Sequence, residues 1–179
     1  VSLMYYQTYY QSPLGNLLLV CDEEGLIGLW IEGQKYFLGN IKENIIEKDD
    51  HPILIQTQKW LDDYFHQRQP SINDLKLTPK GTQFQQMVWK ILCEIPYGQT
   101  MTYGEIAKKV AKTLNKKTMS AQAVGGAVGH NPISIIIPCH RVVGKDGSLT
   151  GYAGGIDNKI KLLQLENVDM TGLYEPRQR

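Results

Sequence analysis

Cysteine is scarce and scattered: Cys21, Cys93 and Cys139 are all that the 179 residues contain. Three such thiols cannot build a disulfide framework, and an odd, widely spaced set fits free thiols in a reducing compartment. Histidine is equally sparse. His51, His66, His130 and His140 show no Cys-x-x-Cys or His-x-x-x-His spacing, so no structural zinc is expected. No apolar run approaches the roughly 20 residues that cross a bilayer, and the start at Val1 lacks the basic patch and apolar stretch of a signal peptide. These absences exclude a secreted disulfide scaffold and a membrane-spanning helix. They point to a cytoplasmic protein with no membrane partner.

A strong charge of one sign is also missing overall, with a formal net charge of +1, but the two halves differ. Residues 1–79 hold 6 Lys/Arg against 11 Asp/Glu, a balance of −5, and residues 80–179 hold 13 against 7, a balance of +6. A polyanion would therefore meet the second half, although unrelated two-domain proteins often show a split of this size. The length allows one domain or two small ones.

The first half opens with three strand-like runs, 5–10, 17–21 and 26–31, separated by Ser12-Pro13-Leu14-Gly15-Asn16 and Asp22-Glu23-Glu24-Gly25. They predict an antiparallel meander. Trp60, Leu61, Tyr64 and Phe65 recur at helical spacing and predict a helix from Ile53 to Phe65. The polar stretch Gln67 to Lys80, with two prolines, reads as a linker.

In the second half Thr82 and Gln85 form a capping box ahead of an apolar stripe of Phe84, Met87, Val88, Ile91 and Leu92, and Pro96-Tyr97-Gly98 ends that helix. Thr102 and Glu105 repeat the box before Ile106, Ala107, Val110 and Leu114. Ser120 can cap a third helix, Ala121 to Val128, made of very small residues. Two helices joined by a turn, the second so small in its side chains, fit a helix-turn-helix whose second helix lies close against something flat or grooved. Gly125 and Gly126 each cost the helix about 1 kcal/mol relative to alanine. Either a ligand approaches the backbone there or helices pack tightly. Lys108, Lys109, Lys112, Lys116 and Lys117 read as a solvated surface, with phosphate contact by some of them as the alternative. Trp30, Trp60, Trp89, Cys21 and Cys93 read as core.

The chemistry gathers after Asn131-Pro132. Ile133 to Ile137 is an apolar run that buries the segment after it, Pro138-Cys139-His140-Arg141-Val142-Val143. A thiol attacks as thiolate, so it needs a base or a positive charge nearby, and His140 and Arg141 are available. A Cys-His pair by itself says little, because neighbours on an extended chain point to opposite faces. A histidine base needs an orienting group. Glu166, at the end of the last amphipathic helix, is a candidate, with a solvated helix-end carboxylate as the alternative.

The segment Ile137-Pro138-Cys139-His140-Arg141-Val142 resembles the signature of the O6-alkylguanine-DNA alkyltransferases. The resemblance extends to Tyr103 in Thr102-Tyr103-Gly104-Glu105, to Ala123-Val124-Gly125-Gly126-Ala127, to Asn131-Pro132, to Gly151-Tyr152-Ala153-Gly154-Gly155 and to Glu166, covering most of residues 82–167. It implies a two-domain fold: an α/β ribonuclease H-like domain over residues 1–78, without that enzyme's activity, then a winged helix-turn-helix domain over 79–179. It implies DNA repair by direct reversal, in which an alkyl group passes from O6-alkylguanine to Cys139 once per molecule, with no cofactor. His140 would remove the thiol proton through a water, Glu166 would fix His140, and Asn131 would hold the turn around the nucleophile. Tyr103 and Thr102 would stand at the flipped guanine. Val142, Tyr152, Ala153 and Gly154 would line its pocket, and Arg141 would serve either the substrate or the structure. Gln122, Ala123, Gly125 and Gly126 would meet the minor groove of double-stranded DNA, where small residues suit the narrow space. A monomer is expected.

Two departures matter. Many family members carry arginine just before the Ala-Val-Gly segment, where it fills the gap left by the flipped base, and here that position is Gln122. Glutamine occupies space and hydrogen-bonds but has no charge or stacking plane. Some relatives bind zinc in the first domain, and here Cys21 lacks the companions. Two other functions compete. Cys139 argues against a lesion-recognising relative in which an unreactive residue replaces the acceptor, and 179 residues leave no room for the sensor domain of a transcription regulator.

Overall fold

The first hairpin closes on Pro13-Leu14, where the Ser12 hydroxyl accepts from the Leu14 N–H and donates to the Gly15 carbonyl, with Gly15 at φ +100°. In the computed structural model, which describes residues 4–39, 41–42 and 44–176, this hairpin joins β1 (Tyr5–Ser12) to β2 (Gly15–Cys21). The extreme ends of the two domain ranges expected from sequence, 1–3 and 177–179, lie outside the described residues. The chain forms two units, Val1–Lys80 with Pro132–Ile136, and Gly81–Asn131 with Ile137–Arg179.

In the first unit β3 (Leu26–Ile31) extends the expected meander. β4 (Ile45–Glu47), which the sequence did not announce, adds parallel to β1, giving the order β3-β2-β1-β4. Leu18, Val20, Ile27 and Trp30 form one apolar face with Tyr5, and Phe37, Leu38, Ile41 and Ile45 pack against it. A Cβ on Gly28 would lie 2.0 Å from the Trp30 ring, so glycine makes room for the indole along its own strand. The helix α1 (Pro52–Phe65) packs on β1–β3 and buries Leu54, Thr57, Trp60, Leu61 and Tyr64. The supposed linker is fastened rather than free. Trp60 donates to the Ser71 carbonyl at 2.8 Å, and residue 26 of β3 exchanges hydrogen bonds with Lys76 and Thr78.

Pro132–Ile136 also pairs with β3, through Leu29 N–H to the Pro132 carbonyl at 2.8 Å and Ser134 N–H to the Leu29 carbonyl at 3.0 Å. Ile135 then sits at φ +72°, inside a γ-turn closed by Ile136 N–H to the Ser134 carbonyl. A β-branched residue in that region costs on the order of 1–3 kcal/mol, so the surroundings must impose it.

In the second unit α2 (Gln83–Leu92), α3 (Tyr103–Thr113) and α4 (Ala121–Gly129) pack on one another. Both capping boxes form as the sequence suggests. The α3 stripe ends earlier than expected, with Ala111 buried and Leu114 exposed at the cap. Trp89 donates to the Ala127 carbonyl at 2.8 Å and so fixes α4 on α2. The short strands β5 (Met101–Thr102) and β6 (Val142–Val143) pair in parallel, and α5 (Ile156–Leu165) closes a cluster with Val143, Leu149, Leu163 and Val168. Cys21 is fully buried, whereas Cys93 is half-buried at the C-cap of α2. Among the described residues no helix is long and apolar enough to cross a membrane.

Candidate active site

Residues 131–143 are all buried, so the polar groups among them must find partners. The stretch around Cys139 is not the extended chain that made the Cys-His pair uninformative. Pro138, at φ −82° and ψ 62°, forms an inverse γ-turn in which the Cys139 N–H donates to the Ile137 carbonyl at 2.8 Å, and Cys139–Arg141 then make one 3-10 turn. The Ile137 carbonyl also accepts from the Asn131 side chain at 2.9 Å, which clamps the backbone just before the thiol.

Glu166 is brought to this turn by the way α5 ends. It is the C-cap, Asn167 adopts φ +57°, Asn167 N–H bonds the Gln164 carbonyl and Val168 N–H bonds the Leu163 carbonyl. That is a Schellman closure, completed by apolar contact between Leu163 and Val168 in one cluster. The Glu166 carboxylate, wholly buried, accepts from His140 Nε2 at 2.6 Å, from Arg141 Nε at 2.8 Å and from the Gly98 N–H at 3.0 Å. Arg141 also donates to the Ile95 carbonyl at 2.7 Å and lies over the Tyr97 ring, 5.7 Å from its centroid.

These contacts set the electrostatics. Burial disfavours a charged Glu166, but the bonds and charges of His140 and Arg141 outweigh it and hold the carboxyl well below its ordinary range. Burial lowers the basicity of His140 despite the carboxylate beside it, so the ring is neutral at neutral pH. An ionised carboxylate only accepts, so Nε2 carries the imidazole proton. Nδ1 is left as the basic lone pair, buried and, among the described residues, without a hydrogen-bond partner. Burial also pushes the Cys139 thiol up, against the Asn131 side chain and the charge of Lys159. Cys21 and Cys93 are pushed up by burial as well, to about 12 and about 11. Acidity therefore does not single out Cys139; its neighbours do.

Lys159 carries no motif that marks it in the sequence. It is fully buried, donates to the Val142 and Thr150 carbonyls, and is lowered to about 8 by burial, with the Cys139 charge acting the other way. A weaker signal was there: Lys159, Leu162, Leu163 and Glu166 fall at i, i+3, i+4 and i+7, one face of one helix. Gly98 reads in the sequence only as a helix stop, yet at φ +78° in a Pro96–Gln99 turn it presents its N–H to Glu166.

The remaining candidates divide. Tyr103 begins α3 and donates to the Thr150 carbonyl at 3.1 Å. A Cβ on Gly151, itself at φ +77°, would lie 2.6 Å from the Tyr103 hydroxyl. The Tyr152 ring stands edge-on to His140 at 6.5 Å between centroids. Val142 is buried, while Ala153 and Gly154 are half-buried in the loop before α5, where the Gly154 carbonyl accepts from Asn158 at 2.8 Å. The Thr102 hydroxyl is engaged in capping α3. Gln122, Ala123 and Gly126 are exposed on α4 and Gly125 half-buried. A Cβ on Gly126 would meet nothing within 4 Å, and one on Gly125 only the Tyr103 ring at 3.9 Å, so tight helix packing does not account for either glycine. Among the described residues no group of three or more His, Cys, Asp or Glu could hold a metal ion.

Known proteins share both units. Residues 83–168 match the family described as 6-O-methylguanine DNA methyltransferase, DNA binding domain, and residues 4–79 match its ribonuclease-like domain. The chain is 42% identical to the methylated-DNA–protein-cysteine methyltransferase of Haemophilus influenzae over 91% of this chain and 87% of that one. It is 47% identical to the protein of the same name from Methanosarcina barkeri, over 91% and 97%. The structure of Mycobacterium tuberculosis OGT in complex with DNA superposes with a TM-score of 0.76 at 39% identity, covering 90% of this chain and 93% of that one.

The buried charges set a dependence of stability on pH. His140 has a folded value below its ordinary 6.5, so the unfolded chain takes up its proton first and stability falls as pH drops below about 6.5. Glu166, held below its ordinary 4.5, contributes stability that is present above that value and is lost as pH falls further. Denaturant titrations across this range should show wild-type stability falling in both windows. Glu166→Gln should be about 3–5 kcal/mol less stable at neutral pH, because Arg141 loses its buried partner, with a flatter profile below pH 4.5. Parallel profiles for the two proteins would contradict this assignment.

Proposed function

The chain belongs to the 6-O-methylguanine DNA methyltransferase family, and on that premise we propose that it repairs DNA by transferring an alkyl group from guanine O6 irreversibly onto Cys139. The observation that carries this reading is the 2.6 Å bond between His140 and Glu166, two fully buried side chains, beside a buried thiol. Because burial keeps Cys139 a thiol at rest, the nucleophile must be made when it is used. Its proton passes through a water to Nδ1 of His140, and Glu166 orients the ring and stabilises the imidazolium. Sγ then bonds the alkyl carbon as the bond from that carbon to O6 breaks, and the guanine leaves with the electron pair. Tyr103, raised to about 12 by burial and next by the Cys139 charge, keeps its proton and turns it from the Thr150 carbonyl to hydrogen-bond the leaving base. The product is a thioether with no good leaving group, so each molecule acts once.

Asn131 holds the turn before Cys139. Val142, Tyr152, Ala153 and Gly154 line the base pocket, with Thr102 setting the start of α3 beside Tyr103. Arg141 acts on Glu166 rather than on DNA, as its contacts suggest. Gln122 fills the space of the flipped base, and Ala123, Gly125 and Gly126 let α4 lie close in the minor groove of double-stranded DNA. The protein works as a monomer in the cytoplasm, where its thiols stay reduced.

Intact-mass analysis after incubation with an O6-methylguanine duplex should show one methyl equivalent per chain, mapped to Cys139. Repeated turnover, or label on Cys21 or Cys93, would overturn the reading. The open space over α4 gives a second expected outcome. Gly126→Ala should raise unfolding stability by roughly 0.5–1 kcal/mol, since the methyl group meets nothing and alanine favours helix. It should at the same time weaken duplex binding. A variant that is more stable and binds duplex as well as wild type would remove α4 from the groove.

A further inference from the structure

Between α3 and the turn that leads into α4 lies an open cleft of about 610 Å³. It is lined by Lys108, Lys112, Lys116 and Lys117 and by the buried Ala107 and Ala111, and among the described residues no acidic one lines it. Lys108 and Lys112 stand at i, i+4 spacing on α3, where like charges repel and destabilise the helix face, and Lys116 follows on the turn beyond the helix end. All four lysines are exposed, and among the described residues none forms a salt bridge. Glu105, the acid of α3, is committed to the Thr102 capping box.

The cleft is firmly built. α3 ends in a Schellman closure, with Asn115 at φ +56°, Asn115 N–H on the Lys112 carbonyl and Lys116 N–H on the Ala111 carbonyl at 2.8 Å. Lys116 and Lys117 therefore stand on a fixed turn. The lining also includes Gly104 and Ala121, which are the chain neighbours of Tyr103 and Gln122. The cleft therefore adjoins the residues that the proposed function sets at the flipped base.

We propose that this cleft holds the phosphodiester backbone of the bound duplex, beyond the contacts of α4, through Lys108, Lys112, Lys116 and Lys117; the proposal rests on the alkyl-transfer reading above. Lys109, on the same helix but not lining the cleft, supplies the internal control.

The test is the salt dependence of binding to an undamaged duplex. Each phosphate contact contributes about 0.9 to the slope of log affinity against log salt. The variant with Lys108→Ala, Lys112→Ala, Lys116→Ala and Lys117→Ala should lose about 2 or more from that slope. It should also bind roughly tenfold or more weakly at physiological salt. The four corresponding Lys→Arg changes should keep the slope, and Lys109→Ala should leave it unchanged. If the fourfold variant loses its fold, Lys112→Ala and Lys116→Ala read singly carry the same test, each with a slope loss of about 0.9. A wild-type slope in the cleft variants, or a loss in Lys109→Ala equal to that in Lys112→Ala, would overturn the proposal. Intact-mass analysis of the wild-type protein with a lesion duplex separates the two levels. Absence of transfer defeats the underlying reading, whereas transfer with coincident slopes defeats the cleft alone.

Discussion

A carboxylate out of contact with water costs several kcal/mol unless its charge and lone pairs are matched. Glu166 is matched three times, by His140, Arg141 and the Gly98 N–H. The groups that meet there come from three separate pieces of chain: the 3-10 turn after Pro138, the Pro96–Gln99 turn that follows α2, and the C-cap of α5 that supplies the carboxylate itself. Arg141 in turn needs the Ile95 carbonyl and the Tyr97 ring to fill its own coordination. The second unit thus closes around one buried charge, and the orientation of His140 is a consequence of that closure.

The same burial that makes Glu166 costly pushes the Cys139 thiol up and so favours its protonated form. A free, low-pKa thiolate would react with any soft electrophile, whereas under the proposed mechanism the buried thiol ionises through the held imidazole when substrate is seated. Lys159 fits this scheme. Its ammonium ties the carbonyls of Val142 and Thr150 together, on either side of the loop that begins at Gly144, and its charge works against burial to lower the Cys139 thiol. Tyr103, by contrast, is kept protonated by its surroundings and so can give a hydrogen bond but not take a proton.

How far the sequence announced this depends on whether a feature is local. The meander, α1 and the two capping boxes rest on contacts within a few residues, and each appears in the fold close to where the pattern put it. β4 is three residues held by parallel pairing to a distant strand, which leaves little periodic trace. The 67–80 stretch looks like a linker because it is held through its own backbone, which accepts from the Trp60 indole and pairs with residue 26, and such ties leave no mark in its side chains. At the site, Cys139, His140 and Glu166 were legible from residue chemistry and family resemblance together. Gly98 was not, because its role lies in an N–H that every residue but proline possesses. Lys159 was hidden by its charge, since a buried lysine is rare enough that helical position alone did not outweigh the expectation of solvent.

The central question is whether Glu166 acts through His140 and not merely as structure. The direct measurement is the single-turnover rate of alkyl transfer from an O6-methylguanine duplex by Glu166→Gln, taken with its duplex affinity at a temperature where the variant remains folded. A slowing of about 100-fold or more, the scale of a misplaced general base, with affinity within a few-fold of wild type, is the expected result. Transfer at the wild-type rate, or a loss of binding as large as the loss of rate, would contradict it.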